Sequence, residues 1–143
     1  MTQPLLSILI PTVVGREKQY KHLLNRIMKA ENGFAILSGR VEDIKLCDNK
    51  EMTIGEKRER LYQMANGLYS WQIDDDDDIA DNAIELILNA IKSNPEIPCI
   101  TFREKCMMNG VYKSSNHSIR YSQWMDNQDG FDYVRSPFYK DVI

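Results

Sequence analysis

The stretch LYSWQIDDDDD, residues 68–78, runs from aromatic and aliphatic side chains directly into five consecutive aspartates. Its first part, Leu68–Ile73, has the composition and length of a β-strand. Ligands of open parallel sheets bind beyond the carboxyl ends of the strands. A strand that ends in a run of carboxylates therefore predicts an α/β fold with a binding site at Asp74–Asp78.

Two clear strands are predicted upstream of this stretch. Leu5–Ile10 is a nearly continuous apolar run that leads to Pro11-Thr12, and Val41–Cys47 leads to Asp48-Asn49. Such runs are typical of strands that are buried on both faces of a parallel sheet. A further short strand is predicted at Phe34–Leu37.

Three amphipathic helices are predicted between and after these strands. The first has apolar residues at helical spacing over residues 20–28 and stops near Asn32-Gly33. The second begins with Thr53 and Glu56 at the spacing of a capping box and ends at Asn66-Gly67. The third breaks before Pro95 and has its apolar residues at Ala80, Ile84, Ile87, Leu88 and Ile91.

Two strands follow the third helix in the predicted order. They span Cys99–Met108 and Val111–Trp124 and are joined at Asn109-Gly110, which is a strong hairpin signal. No element is assigned to Asp126–Ile143. The order of elements predicts a single α/β domain over residues 1–143, a Rossmann-like α/β/α sandwich with a mainly parallel sheet and a C-terminal β-hairpin.

The composition narrows the class of protein. The chain has 143 residues, of which 43% are hydrophobic and 27% charged, which is ordinary for a globular domain. A net charge of −3 without a basic tract argues against nucleic-acid binding, and no apolar run is long enough to span a bilayer. No signal peptide is visible, and three cysteines without C-x-x-C spacing fit a reducing compartment. We therefore expect a cytoplasmic protein.

The three predicted strands bring polar residues to one edge of the sheet. Pro11-Thr12, Asp48-Asn49 and Asp74–Asp78 each follow a strand end. Five adjacent carboxylates repel one another, and a hard cation such as Mg²⁺ or Mn²⁺ would relieve the repulsion and orient a diphosphate. The alternative is that acidic residues favour a helix N-terminus, with Asp78 or Asp81 as the cap. That alternative explains one or two of the five aspartates.

Other polar residues are weaker candidates. Arg58 lies on the helical stripe of Ile54 and Leu61, so we expect it to point inward toward an anion, or else to cover the sheet edge with its stem. His117 is expected to pack, with metal ligation or proton transfer as the alternative. Trp124 is expected to be either a packing residue or a platform on which a sugar stacks.

Four segments in order resemble family-two-type glycosyltransferases with the GT-A fold. They are the opening strand SILIPT (residues 7–12), VEDIKLCDN (41–49), IGEKRERLYQMANG (54–67) and WQIDDDDDIADNAIE (71–85). The third corresponds to a segment with a Gly, a basic pair and a later Ala-x-Gly, and the fourth to a strand with a DxD motif. The resemblance covers about residues 5 to 93, and it implies a metal-dependent, inverting transfer from a nucleotide-diphosphate sugar.

The resemblance implies a role for each matching residue. The donor nucleotide sugar, with uridine diphosphate favoured, would be bound by Thr12, Asp48, Lys57, Arg58, Asp74 and Asp75. Asp76 would bind the Mn²⁺ or Mg²⁺ ion directly, with a register uncertain by one residue. Cys47 stands where the family usually has an aspartate, and Glu59 where it commonly has an asparagine.

The catalytic base is unknown. The family supplies it from an acceptor-binding half, and no Glu-Asp motif of that kind occurs up to Ile143. Asp126, Asp129 and Asp132 are the late carboxylates near a plausible acceptor side, and none matches the motif. The resemblance therefore implies donor binding, with weak transfer to an unknown acceptor or slow donor hydrolysis.

Alternative functions fit the sequence less well. A sugar nucleotidylyltransferase would have a glycine-rich loop after the first strand, a receiver domain would have an acidic pair there, and a calcium loop would have spaced ligands. The stronger alternative is a non-catalytic module that binds a nucleotide or a nucleotide sugar for a partner. Turnover of the donor would distinguish that module from an enzyme.

Overall fold

The computed structural model describes residues 3–32 and 39–136. It divides into two compact units, Met1–Glu96 and Ile97–Ile143. The expectation of a single domain stays a prediction. In chain order the elements of the first unit are β1 (Leu6–Val13), α1 (Glu17–Glu31), β2 (Val41–Asp48), α2 (Ile54–Met64), β3 (Tyr69–Gln72) and α3 (Ala83–Ser93).

The first unit contains a parallel three-stranded sheet in the order β2-β1-β3. Leu6 of the central strand is in register with Val41 on one side and Tyr69 on the other. Residues 6 to 10 of β1 are almost completely buried, because a central strand is covered on both faces. The three predicted strands are confirmed, and β1 and β2 continue to Val13 and Asp48.

Two helices of the first unit follow their predicted patterns. Leu23 and Ile27 of α1 are buried, and the helix ends where Asn32 adopts a left-handed conformation with φ of 51°. In α3 the predicted apolar positions Ile84, Ile87, Leu88 and Ile91 are buried, whereas Ala80, also predicted to lie on this face, precedes the helix and is exposed. These two helices pack against each other. The strand predicted at Phe34–Leu37 lies outside the described residues.

Helix α2 begins as predicted but presents a different face. The Thr53 hydroxyl and the Glu56 carboxylate form the capping box. Of the expected stripe of Ile54 and Leu61, Leu61 is buried as predicted, but Ile54 is exposed. The other buried residue of the helix is Lys57, four positions before Leu61. Arg58 is therefore exposed, and the prediction that it points inward is wrong.

The second unit is a four-stranded sheet in the order β4-β5-β7-β6. Its strands are β4 (Arg103–Met108), β5 (Val111–His117), β6 (Met125–Gln128) and β7 (Phe131–Arg135). The predicted hairpin turn is confirmed, since Asn109 and Gly110 have φ of 51° and 78°, as a type I′ turn requires.

A second hairpin joins β6 to β7 through Asp129 and Gly130, whose φ values are 53° and 80°. β5 and β7 run parallel to each other. Both predicted strands of the first hairpin are shorter than expected, and the chain from Met125 to Arg135 forms the two strands that were left unassigned.

None of the helices within the described residues has the length and apolar character needed to span a bilayer. Cys47, Cys99 and Cys106 are free thiols.

Candidate functional site

The carboxyl ends of the three parallel strands are joined by buried hydrogen bonds. The Thr12 hydroxyl at the end of β1 donates to Asp75 after β3, with 2.7 Å between Oγ1 and Oδ2. Lys57 Nζ of α2 donates to the Thr12 carbonyl oxygen at 2.7 Å and to the Asp48 carboxylate at the end of β2. The structure thus brings together four of the predicted donor-binding residues.

Asp48 and Lys57 form a buried ion pair. Their side chains are 7% and 3% exposed, and Asp48 also accepts the Met52 N–H at 2.7 Å. The hydrogen bond from Lys57, together with the Met52 N–H, holds the pKa of Asp48 below its usual value. The pair fixes α2 against the ends of β1 and β2. It explains why Lys57, and not Arg58 as predicted, lies on the buried face of the helix.

Arg16, in the loop after β1, contacts the aspartate run and was not predicted. Its Nε lies 2.9 and 2.8 Å from the two carboxylate oxygens of Asp75, and its Nη2 lies 2.6 Å from Oδ1. The same Nη2 is 3.2 Å from Asp76 Oδ2. The position of Arg16 just beyond a strand end was the available signal, because it puts the residue at the same edge as the aspartates.

Asp75 is buried and ionised. Burial raises the pKa of this carboxyl group, but the hydrogen bonds from Arg16 and Thr12 outweigh the effect and keep the pKa below its usual value. Because both of its oxygens accept bonds from the protein, Asp75 serves as the internal anchor of the run.

Other basic side chains pair with Asp74 and Asp78 of the run and with the nearby Asp81. Arg58 Nη2 lies 3.0 Å from Asp74 Oδ1, and both side chains are partly exposed. Arg26 of α1 lies 2.7 Å from Asp78 and 3.1 Å from Asp81. The repulsion between the aspartates, which suggested a cation, is thus relieved by arginines from three other segments of the chain.

Capping of α3 does not explain the acidic run. The helix starts at Ala83, and its N-cap Asn82 makes no side-chain capping bond. Asp78 instead accepts from Arg26, and Asp81 pairs with Arg26 and Lys29. The prediction that Asp78 or Asp81 caps this helix is wrong.

Asp76 is the residue that the resemblance assigns to a metal ion. Its side chain is 63% exposed, and its Oδ2 lies 3.2 Å from Arg16 Nη2. The residues that the structure describes contain no group of three His, Cys, Asp or Glu side chains able to hold a metal. Mg²⁺ and similar ions usually take one or two protein carboxylates and complete their shell with water and phosphate oxygens. A cation at Asp76 would therefore need water and phosphate oxygens to complete its shell.

In the second unit, His117 is held in a packed position. Its Nε2 accepts from Arg135 Nε at 3.0 Å and lies 3.5 Å from Glu104. Burial lowers the pKa of His117, and Arg135 adds to that effect while Glu104 opposes it. Trp124 stacks on Tyr133 with ring centroids 4.4 Å apart but remains half exposed.

The late carboxylates of the second unit each accept local hydrogen bonds. Asp129 accepts from the Tyr121 hydroxyl at 2.5 Å, and Asp132 accepts from the Ser114 N–H at 2.8 Å. Asp126 accepts from Trp124 Nε1 at 3.0 Å. None of these hydrogen bonds identifies one of the three carboxylates as a catalytic base.

Comparison of the chain with protein-family models, with curated proteins and with solved structures finds no match.

Proposed function

We propose that the chain binds a nucleoside diphosphate sugar together with Mn²⁺ or Mg²⁺, and that it acts as a metal-dependent glycosyltransferase of the inverting type with a GT-A fold. The observation that carries the proposal is the bonding of three parallel strand ends through Thr12, Lys57 and Asp75. Open parallel sheets bind nucleotides at such an edge. The uridine nucleotide is favoured by the resemblance of the sequence.

The buried and the exposed residues of the site would have different roles. Thr12, Lys57 and Asp75 use their polar atoms within the protein, so they would shape the floor of the site. Arg58 and Asp74 are exposed on its rim, where a guanidinium suits a phosphate and a carboxylate suits a ribose or sugar hydroxyl.

Asp76 would provide the protein ligand of the metal ion. A divalent cation held there would neutralise charge on the leaving diphosphate. Asp75, anchored by Arg16 and Thr12, would hold the backbone of the neighbouring Asp76 at the strand end. The chain would therefore bind the ion together with the phosphates, because its own residues offer an incomplete ligand set.

The test is calorimetric titration of the chain with uridine diphosphate and with guanosine diphosphate, each with Mn²⁺ and with a chelator. We expect one nucleotide to bind, and to bind only with Mn²⁺. If neither nucleotide binds under either condition, the proposed donor site is wrong and the acidic run has a structural role.

A second candidate is a non-catalytic module that holds a nucleotide sugar for a partner. It is favoured by the pairing of four aspartates of the run, Asp74, Asp75, Asp76 and Asp78, with arginines, which leaves these carboxylates poorly suited to act as a base. Release of nucleotide from uridine-diphosphate glucose or galactose distinguishes the two. Nucleotide release above the rate of a chain-free control supports the enzyme, and binding without release supports the module.

A further inference from the structure

We infer that the tip of the β4–β5 hairpin, residues 105–113, inserts into the surface of a membrane that contains anionic lipids. The inference goes beyond the proposed donor site, because the whole tip belongs to the second unit, Ile97–Ile143. Apolar side chains at the end of the hairpin enter the lipid, and lysines behind them bind the headgroups.

Exposed apolar side chains flank the turn of this hairpin on both strands. The four residues next to the Asn109-Gly110 turn are between 48% and 68% exposed, and they are Met107, Met108, Val111 and Tyr112. Across the described ranges 3–32 and 39–136, large hydrophobic residues that are both exposed and adjacent in sequence occur only in these two pairs. Single exposed apolar residues are ordinary on a protein surface, whereas a contiguous group marks a contact site.

The apolar side chains cover both faces of the hairpin. Successive residues of a strand point to opposite faces. Met107 lies opposite Tyr112 on one face, and Met108 lies opposite Val111 on the other. The surface of a partner protein would cover one face and leave the other in water, whereas the boundary between lipid headgroups and acyl chains surrounds a narrow tip on every side.

A lysine follows each apolar pair on the same face. Lys105 lies two residues behind Met107, and Lys113 lies two residues behind Val111. Two residues of a strand span about 7 Å, and a lysine stem is long and flexible. With the apolar pairs inserted, both ammonium groups can therefore reach the phosphates of the lipid headgroups.

The charge of the tip favours an anionic surface. Residues 105–113 contain two lysines and no aspartate or glutamate, in a chain whose net charge is −3. The nearby carboxylates have partners within the protein, since Asp132 accepts the Ser114 N–H and is attracted to Lys113, and Asp129 pairs with Arg120. Anionic lipids attract the tip and repel the chain as a whole, which orients the hairpin toward the membrane.

The insertion is shallow. The polar Asn109 lies at the apex, and the backbone groups of a turn are costly to bury in the hydrocarbon core. Tyr112 suits the headgroup level, because its ring is apolar and its hydroxyl is polar.

The experiment is co-sedimentation of the full chain with vesicles of phosphatidylcholine alone and of phosphatidylcholine mixed with phosphatidylserine. We expect binding to the anionic vesicles to be about tenfold or more tighter than to the neutral ones. Met107→Ser with Met108→Ser removes one apolar side chain from each face and should weaken binding by about tenfold or more. Lys105→Gln and Lys113→Gln should each weaken it by about fivefold.

Two matched controls change similar residues away from the tip. Leu86→Ser with Ile119→Ser removes two exposed apolar side chains, and Lys18→Gln with Lys21→Gln removes two exposed lysines of α1. Each control should change the affinity for anionic vesicles by less than about twofold. Circular dichroism verifies that every variant is folded.

Tyr112→Trp tests the insertion itself. Phosphatidylcholine with brominated acyl chains quenches the fluorescence of tryptophans that reach the acyl region. In anionic vesicles that contain this lipid, Tyr112→Trp should be quenched more than the unaltered chain, whose two tryptophans, Trp71 and Trp124, lie outside the tip.

Three results would overturn the inference. The first is binding no tighter to anionic than to neutral vesicles, or an equal loss of binding in the tip variants and their controls. The second is equal quenching of Tyr112→Trp and the unaltered chain. The third is a dimer in light scattering that becomes a monomer in Met107→Ser with Met108→Ser, because a second copy of the chain would then cover the tip.

Discussion

Asp76 differs from the adjacent Asp75 in exposure and in its partners. Its side chain is mostly exposed and pairs only loosely with Arg16. We therefore expect Asp76→Ala to lower the Mn²⁺-dependent affinity for uridine diphosphate by about tenfold or more, because a metal ligand is lost. The melting temperature should stay unchanged, because no buried contact is removed.

Calorimetry and thermal unfolding followed by circular dichroism measure the two effects. Asp81→Ala is the control, since Asp81 is a similarly exposed aspartate that pairs with Arg26 and Lys29. Normal nucleotide affinity in Asp76→Ala would remove Asp76 from the metal site.

Lys57 and Arg58 are adjacent in sequence but differ in burial. Arg58→Ala should weaken nucleotide binding and leave the melting temperature nearly unchanged, because its pair with Asp74 is exposed. Lys57→Met should lower the melting temperature by about 10 °C or more, because it leaves Asp48 buried without a cation. Thermal unfolding and calorimetry of both variants test the contrast. A greater loss of stability in Arg58→Ala than in Lys57→Met would contradict this assignment of the buried residue.

Glu31, the last residue of α1, gives the fold a dependence on pH. Burial raises the pKa of Glu31 from 4.5 to about 8, and the neighbouring Asp43 adds to the shift. Between those pH values the folded chain retains a proton that the unfolded chain has released, so this contribution to stability is complete below pH 4.5 and is lost as the pH rises through about 8.

We therefore expect the stability of Glu31→Gln to fall less steeply with rising pH than that of the unaltered chain. At alkaline pH the free energy of unfolding of the variant should be about 3 kcal/mol higher. Urea unfolding at a series of pH values measures this difference. Glu85→Gln, which changes an exposed glutamate of α3, is the control. Parallel pH profiles for the unaltered chain and Glu31→Gln would show that Glu31 is ionised in the folded state.

Among the elements, α2 has two glycines, one within the helix and one after it, that differ in the space available for a side chain. Gly67 follows the helix, and a Cβ added there would lie 2.5 Å from Ser7 Oγ and 2.7 Å from Ser7 N. We expect Gly67→Ala to destabilise the chain by about 2 kcal/mol or more, since the backbone of β1 would have to move. Gly55 lies inside the helix with nothing within 4 Å of an added Cβ. We expect Gly55→Ala to stabilise by up to about 1 kcal/mol.

Chemical denaturation of the two variants provides the measurement, and each serves as the control for the other because the substitution is the same. Equal changes in stability would show that the approach of Gly67 to Ser7 does not constrain the chain.

Elements that are determined by local sequence signals were predicted correctly, whereas features that depend on long-range contacts were not. The apolar run of β1 and the capping box of Thr53 are local signals, and both are confirmed. The Asp129-Gly130 turn carries the same kind of local signal as Asn109-Gly110, so the hairpin it forms could have been predicted. The burial of Lys57 on α2 beside Leu61 could not, because it depends on an ion pair with the distant Asp48.

At the scale of the molecule, the rule for parallel sheets predicted which residues meet. Thr12, Asp48 and the aspartate run do lie at the same edge of the sheet β2-β1-β3. The partners of the aspartates were not predictable in the same way. Arg16 and Arg26 lie 59 and 52 residues from the aspartates that they bond, and no spacing in the sequence marks such pairs.

All the residues of the proposed donor site lie in the first compact unit, Met1–Glu96. This unit has its own parallel sheet and core, so we expect a fragment of residues 1–96 to fold in isolation. We further expect the fragment to bind uridine diphosphate with Mn²⁺ within about threefold of the affinity of the full chain, a difference of less than 1 kcal/mol. Circular dichroism and calorimetry of the fragment and the full chain provide the comparison. A folded fragment that has lost most of the affinity would mean that residues 97–143 contribute ligand contacts, and the donor site would then have to include the second unit.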